Sequence, residues 1–283
     1  MESIADAALT GARGNSGIIF AQFLNGIHNG LTEEKKVSLA DFSKAVNYGI
    51  NQTYESISNP VEGTIITVMY DWSKSINLLK DRATDVAQLF SISLEVAVQS
   101  LNAKTDKLKA LKDALVVDAG GKGFVYFLEG MTSYFMSPEN NVSEYIAAGD
   151  EYEDHNIHVS ENDDLSYRYC TKILLKGTQM ELESIKSALQ DYGDSLIVAG
   201  GPTRVRIHIH TNTPAVVLER LRGFGNVVQQ MVDDMQRQFE TVHARKYKIA
   251  LVTDSIADLP KEAMDNYQVH MIPLNLLIGT VVI

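Results

Sequence analysis

Gly11-Ala12-Arg13-Gly14-Asn15-Ser16-Gly17 places three glycines in seven residues and runs into the apolar stretch Ile18-Ile19-Phe20-Ala21. It reads as a tight connection opening a helix. Amides in the first turn of a helix have no intrahelical partner, and that end carries a partial positive charge. The loop can therefore hold an anion. Glycines let the backbone approach, Asn15 and Ser16 add donors, and Arg13 offsets phosphate charge. The competing reading is an ordinary glycine-rich helix connection.

The flanking sequence has helical spacing. Over 39–57, Leu39, Phe42, Val46, Ile50, Tyr54 and Ile57 fall on one helical face. Ser38, with Asp41 three residues on, has the form of a capping box. Ile65, Met69, Trp72, Ile76 and Leu79 repeat the pattern over 63–80, and Val86, Leu89, Phe90, Leu94, Ala97 and Leu101 over 84–102. Further helices fit 16–28, 106–116 and 122–136. Residues 1–137 are thus expected to form an all-helical bundle or barrel.

Two more glycine turns precede helices: Asn59-Pro60-Val61-Glu62-Gly63-Thr64 and Asp118-Ala119-Gly120-Gly121-Lys122-Gly123. Each alone reads as a helix cap. Converging with the first at one end of a helical ring, they would make an anion pocket.

The net charge of −11 over 283 residues is unevenly spread. Residues 139–165 hold nine acidic residues and no Lys or Arg, which leaves −2 for the rest of the chain. Residues 138–165 read as an acidic linker, with a metal-binding acidic loop as the alternative. The absence of a basic stripe argues against nucleic acid as a partner. No run approaches the roughly 18 apolar residues of a membrane span. Met1-Glu2-Ser3-Ile4-Ala5-Asp6 lacks the features of a signal peptide, and the single cysteine, Cys170, excludes an internal disulfide. These features favour the cytoplasm.

Beyond the acidic stretch the pattern changes. Tyr167–Lys176 reads as a strand, Met180–Tyr192 as a helix, Ser195–Ala199 and Arg204–Thr211 as strands, and Pro214–Phe224 as a helix. Residues 166–245 thus form a small α+β domain. A third unit, 246–283, opens as strand Lys248–Thr253, helix Pro260–Tyr267 and apolar run Val269–Ile278, the start of an α/β domain. Two strands and one helix cannot bury a two-faced sheet, so the chain is expected to be truncated at its C-terminus.

In Arg204–Thr211, alternation puts Val205, Ile207 and Ile209 on one face and His208 with His210 on the other. Should the Cys170 strand pair with it, Cys170, His208 and His210 supply three zinc ligands. The alternative makes Arg204, Arg206, His208 and His210 the solvated face of an edge strand, with Cys170 a small buried apolar residue. The other histidines (His28, His155, His158, His243, His270) read as structural or solvent-exposed.

These motifs carry a resemblance. Ala8-Leu9-Thr10-Gly11-Ala12-Arg13-Gly14-Asn15-Ser16-Gly17, Glu62-Gly63-Thr64 and Val117-Asp118-Ala119-Gly120-Gly121-Lys122-Gly123 resemble the nucleotide-binding subunit of dihydroxyacetone kinases, in the branch found in fatty acid kinases. The resemblance implies a barrel of antiparallel helices holding ATP at one end. Gly11–Gly17 would surround the phosphates, and Gly63, Thr64, Asp118, Gly120 and Gly121 would line the pocket. Tyr169-Cys170-Thr171 and His208-Ile209-His210-Thr211 are similar to the middle domain of fatty acid kinases, for which a zinc site is expected. There Glu commonly follows the Tyr-Cys-Thr stretch; here Lys172 does. Ile249–Pro260 and Ile272-Pro273-Leu274 resemble the start of the DegV family of fatty-acid-binding proteins, with Thr253-Asp254-Ser255 at the strand end where α/β sheets take ligands.

The implied activity is ATP-dependent phosphorylation of a fatty acid carboxylate presented by a DegV-like domain or protein. Glycerone (dihydroxyacetone) kinase activity and a non-catalytic nucleotide- and zinc-binding module are the alternatives. The family's magnesium-holding turn, Asp-Gly-Asp-Thr-Gly, is missing, and no Asp-x-Asp occurs anywhere in the chain. A chain missing its beginning as well as its end, and catalytically incomplete, is therefore expected. No catalytic residue is assigned, and the oligomeric state stays open, a homodimer included.

Overall fold

The computed structural model describes residues 1–31, 36–103, 118–137, 166–272, 274, 277–278 and 281–282. The helix read over 106–116 and the acidic linker lie outside the described residues.

The helical part contains α1 (Glu2–Gly11), α2 (Gly14–Gly30), α3 (Leu39–Ser56), α4 (Ile65–Leu79), α5 (Val86–Ala103) and α6 (Ala119–Met136). The apolar stripes face inward: Val46, Ile50, Met69, Trp72, Ile76, Leu89 and Phe90 are all buried. Ser38 Oγ caps α3, accepting from the Asp41 amide at 3.1 Å. Consecutive helices pack side by side, and α6 returns against α4, α5 and α2, closing the ring. Its centre is aromatic. Trp72 meets Phe23 and Phe124 edge-on, with Phe90 tilted beside it, and donates its indole N–H to Ser93 Oγ at 3.1 Å. Burial of each such side chain contributes about 1.5–3 kcal/mol.

The middle domain is an antiparallel sheet of β1 (Tyr169–Lys176), β2 (Asp194–Gly200), β3 (Arg204–Thr211) and β4 (Asn226–Asp234), in the order β2-β3-β1-β4. Helices α7 (Leu182–Leu189, extended by a short 3-10 turn to Tyr192) and α8 (Pro214–Leu221) cover one face. There Ile173, Leu175, Val205, Ile207 and Ile209 pack on Ile185, Leu189, Val217 and Leu221. The sequence reading missed β4 and the following α9 (Met235–His243). The β4 stretch Asn226-Val227-Val228-Gln229-Gln230-Met231-Val232 pairs its apolar residues instead of alternating them, because as an edge strand it is exposed on both sides.

The edge-strand reading of Arg204–Thr211 is corrected: β3 lies inside the sheet, between β2 and β1. Its second face docks on the helical part. Ile197 and Ala199, the partners of His208 and Arg206 in β3, join the helical core. Ile57 bridges Ile197, and the Ser58 amide donates to the Leu196 carbonyl at 3.1 Å. Buried Gln22 accepts from the Gly200 amide at 2.7 Å, and Asn25 donates to the Gly200 carbonyl at 2.9 Å.

In the third unit, β5 (Val252–Asp254), α10 (Lys261–Asn266) and β6 (His270–Ile272) make a parallel strand-helix-strand unit, with a small antiparallel pair, β7 (Leu277–Ile278) and β8 (Val281–Val282), after it. The strands are shorter than read, and the run Val269–Ile278 divides into β6 and β7. Asp265 on α10 is clamped by Arg168 and Arg237, and Arg168 also grips Asp234 at 2.6 Å. No described helix is long and apolar enough to cross a membrane.

Candidate functional site

The three glycine turns meet at one end of the helical ring. Gly11 ends α1, Ala12 and Arg13 form the connection, and Gly14, Asn15, Ser16 and Gly17 make the first turn of α2. Gly14 adopts φ +62°, a left-handed conformation that favours glycine. No side chain caps the N-terminus of α2, so its leading amides keep their capacity for an anion. At Gly120, any Cβ would collide with the Ser16 side chain, so the α2 and α6 N-termini touch.

Asp118 caps α6, accepting from the Gly121 amide at 2.6 Å. It also accepts from the backbone of Ile65, the residue after Thr64, which ties in the α4 N-terminus. Burial raises the Asp118 pKa, opposed by the amides of Gly121 and Ile65. Gly63 is buried, and its amide donates to Thr67 Oγ1 at 2.9 Å, whose hydroxyl donates to Glu62 at 2.8 Å. Thr64 turns its hydroxyl back to the Val61 carbonyl at 2.8 Å.

A cavity of about 410 Å³ opens beside Gly63, lined by Tyr54, Glu62, Thr67, Tyr70 and Asp71. The sequence reading gave Tyr54 only a core role and did not single out Thr67, Tyr70 or Asp71. Helical spacing alone does not tell which polar residues one turn apart line a hollow. The Tyr54 hydroxyl is pushed up to about 12 by burial, then by Glu62, Tyr70 and Asp71.

The second cluster lies on the polar face of the sheet. Register sets Cys170 beside His210 and Lys172 beside His208. Ligand atoms of Cys170, His208 and His210 lie within 4.8 Å of one another, with Cys170 Sγ 3.8 Å from His208 Nδ1. The solvated-face alternative is corrected: Arg206 is 5% exposed and His208 2%. His208 Nε2 is buried without a hydrogen-bond partner. Burial holds the His208 pKa well below the usual imidazole value, with His210, Lys172 and Arg206 adding to the effect. Burial pushes the Cys170 thiol up to about 11. Asp194 stands 3.3 Å from His210 Nδ1, and Lys172 is neutralised by Asp233 at 2.9 Å. One sulfur and two imidazoles are a donor set suited to zinc. Of the other histidines, His243 is exposed and His28 and His270 are half-buried; His155 and His158 lie outside the described residues.

Comparison with known proteins follows this division. Residues 1–133 match the model of the DAK2 domain, and residues 166–242 match that of the FakA-like middle domain of fatty acid kinases. Together they mark a FakA-like protein of the fatty acid kinase type. The chain is 28% identical over 257 residues to Protein YloV of Bacillus subtilis, covering 88% of this chain and 46% of that protein. It is 29% identical over 260 residues to an uncharacterized protein of Staphylococcus haemolyticus, with coverage of 88% and 46%. For an uncharacterized protein of Staphylococcus aureus (strain USA300) the figures are 27% over 267 residues, 90% and 49%. The chain thus spans about half the length of the curated relatives it matches. The two matched domains make it a kinase-related module of the fatty acid kinase type, whose family partner is a DegV-type fatty-acid-binding protein.

Proposed function

We propose that this chain is the ATP-binding part of a fatty acid kinase-like phosphotransferase. The observation that carries the reading is the meeting of Ser16, Gly120 and Asp118 with the α4 N-terminus beside an uncapped α2. Three helix N-termini at one point supply amides and positive potential to a polyphosphate. In the complete reaction a fatty acid carboxylate oxygen attacks the γ-phosphorus. The bond to the β–γ bridging oxygen breaks, ADP leaves, and an acyl phosphate forms. The acceptor is already an anionic nucleophile, so the protein's task is to position it and to stabilise charge. The third unit, on this reading, belongs to a DegV-like domain or docks one.

Magnesium does not fit the described residues. Asp118 is committed to the amides of Gly121 and Ile65, and Glu62 to Thr67. With no Asp-x-Asp in the sequence, this chain is expected to bind ATP while transferring phosphate slowly.

Calorimetric titration with ATP tests the binding. The expected result is saturable uptake by the wild type and at least about tenfold weaker uptake by Asp118→Ala, with about 0.5–2 kcal/mol of stability lost with the cap. Wild-type protein indifferent to ATP would overturn the reading. Incubation with ATP, magnesium, fatty acid and a DegV-type carrier separates the chemistries: acyl phosphate supports fatty acid transfer, while turnover with dihydroxyacetone alone supports glycerone kinase activity.

The Cys170, His208 and His210 cluster supports a second element of the proposal, a zinc site. The orphaned His208 Nε2 and the compact donor set favour it. Bound zinc would supply a fixed tie between β1 and β3 and a Lewis-acid position for an oxygen ligand. Elemental analysis of protein purified without added zinc is expected to find about one equivalent; metal-free, normally folded protein would remove the site.

A further inference from the structure

Arg206 is the anomaly of the interface between the two domains. It is 5% exposed, and its guanidinium donates to neutral acceptors: Gln229 Oε1 at 2.8 Å and the Ala12 carbonyl at 3.0 Å. Its Nε–H is buried with no partner at all. Among the described residues it makes no ion pair. A guanidinium has five donors and stays charged in proteins, and burying it without a counter-charge costs several kcal/mol. A second cation, Arg13, stands close enough to repel it. Arg13 is itself exposed, on the loop whose Ala12 carbonyl Arg206 holds.

A strut between domains needs hydrogen-bond donors but not this charge. Two arginines brought together from different domains, with an unused buried donor beside the uncapped N-terminus of α2, describe a site built for an anion.

We propose that Arg13 and Arg206 form a two-domain clamp on the polyphosphate held by the glycine loop, with the middle domain supplying the buried half. The clamp rests on the nucleotide reading above and extends it, because the site is incomplete without β3. Anion occupancy then joins the sheet to the helices. His208 lies two residues along the same face of β3, so the clamp stands between the glycine loop and the Cys-His cluster.

The test uses the whole chain with ATP, inorganic tripolyphosphate and adenosine as separate probes. Affinity and thermal unfolding are measured for wild type, Arg206→Met, Arg206→Lys and Arg13→Gln across a range of salt concentrations. Both ATP and tripolyphosphate are expected to bind the wild type. Each neutral variant is expected to bind them about tenfold more weakly or worse, with a shallower salt dependence, and Arg206→Lys to recover part of the loss. Adenosine binding, where it is measurable, should not change.

A purely structural Arg206 would lower the unfolding temperature without altering affinity or salt dependence. That result, together with unchanged Arg13→Gln, overturns the clamp and leaves the nucleotide reading standing. Wild type that binds neither ATP nor tripolyphosphate overturns both. Should Arg206→Met fail to fold, the exposed Arg13→Gln and the charge-keeping Arg206→Lys decide the matter by the same measurements.

Discussion

The two faces of the middle sheet are both buried, yet they are built from opposite chemistry. On one, Val205, Ile207 and Ile209 are wholly inaccessible and pack on α7 and α8. On the other, Arg206 and His208 are nearly as inaccessible and carry unpaired nitrogens. The first face is explained by the hydrophobic effect alone. The second is not, because burying polar groups without partners costs free energy. Evenly spaced residues of one strand thus divide into those that hold the fold and those that the fold holds for something else.

Ile207→Ala should separate the faces most clearly. It removes packing from the apolar face and is expected to cost about 2–5 kcal/mol of stability in urea unfolding. ATP affinity of the protein that remains folded should be unchanged. An equal loss of affinity would show that the faces do not act separately.

His208→Ala probes the polar face. Its stability cost is expected to be smaller, about 1–2 kcal/mol, within the usual range for one substitution. Its metal content should fall from about one zinc per chain to none. Undiminished zinc in this variant would exclude His208 as a ligand.

The smallest effect belongs to the sheet's rim, where Arg168, Asp234, Arg237 and Asp265 tie the third unit on. Hydrogen bonding to Arg168 lowers the Asp265 carboxyl to about 2, with Arg237 assisting. A carboxyl with a depressed folded pKa contributes stability above its unfolded value of about 3.9, and that contribution fades as pH falls toward 2. Asp265→Asn should therefore destabilise by less than about 1 kcal/mol at neutral pH and lose less than wild type between pH 4 and pH 2. Parallel acid titrations followed by fluorescence check this.

How far the sequence could be read depended on the kind of signal. Periodicity located α3, α4 and α5 to within two residues, since their stripes are regular and Ser38 marks a start. The β3 limits were read as found, because alternation there is strict. Gly11–Gly17 could be named as a loop for an anion from composition. Strand β4 escaped because an exposed edge imposes no alternation. Arg206 escaped as a site residue because a polar residue in an alternating strand is read as facing water.

By itself the sequence determined the succession of a helical part, a small α+β domain and a strand-helix-strand unit, because local periodicity and turn chemistry act over a few residues. It also determined which residues could bind phosphate or metal, since that is a property of their side chains. Only the tertiary structure decided that Ser16 meets Gly120, that Cys170 lies beside His208, and that Arg206 is shut against Ala12. Those contacts join residues 38 to 194 positions apart, or segments from different domains, and no local preference reaches across such distances.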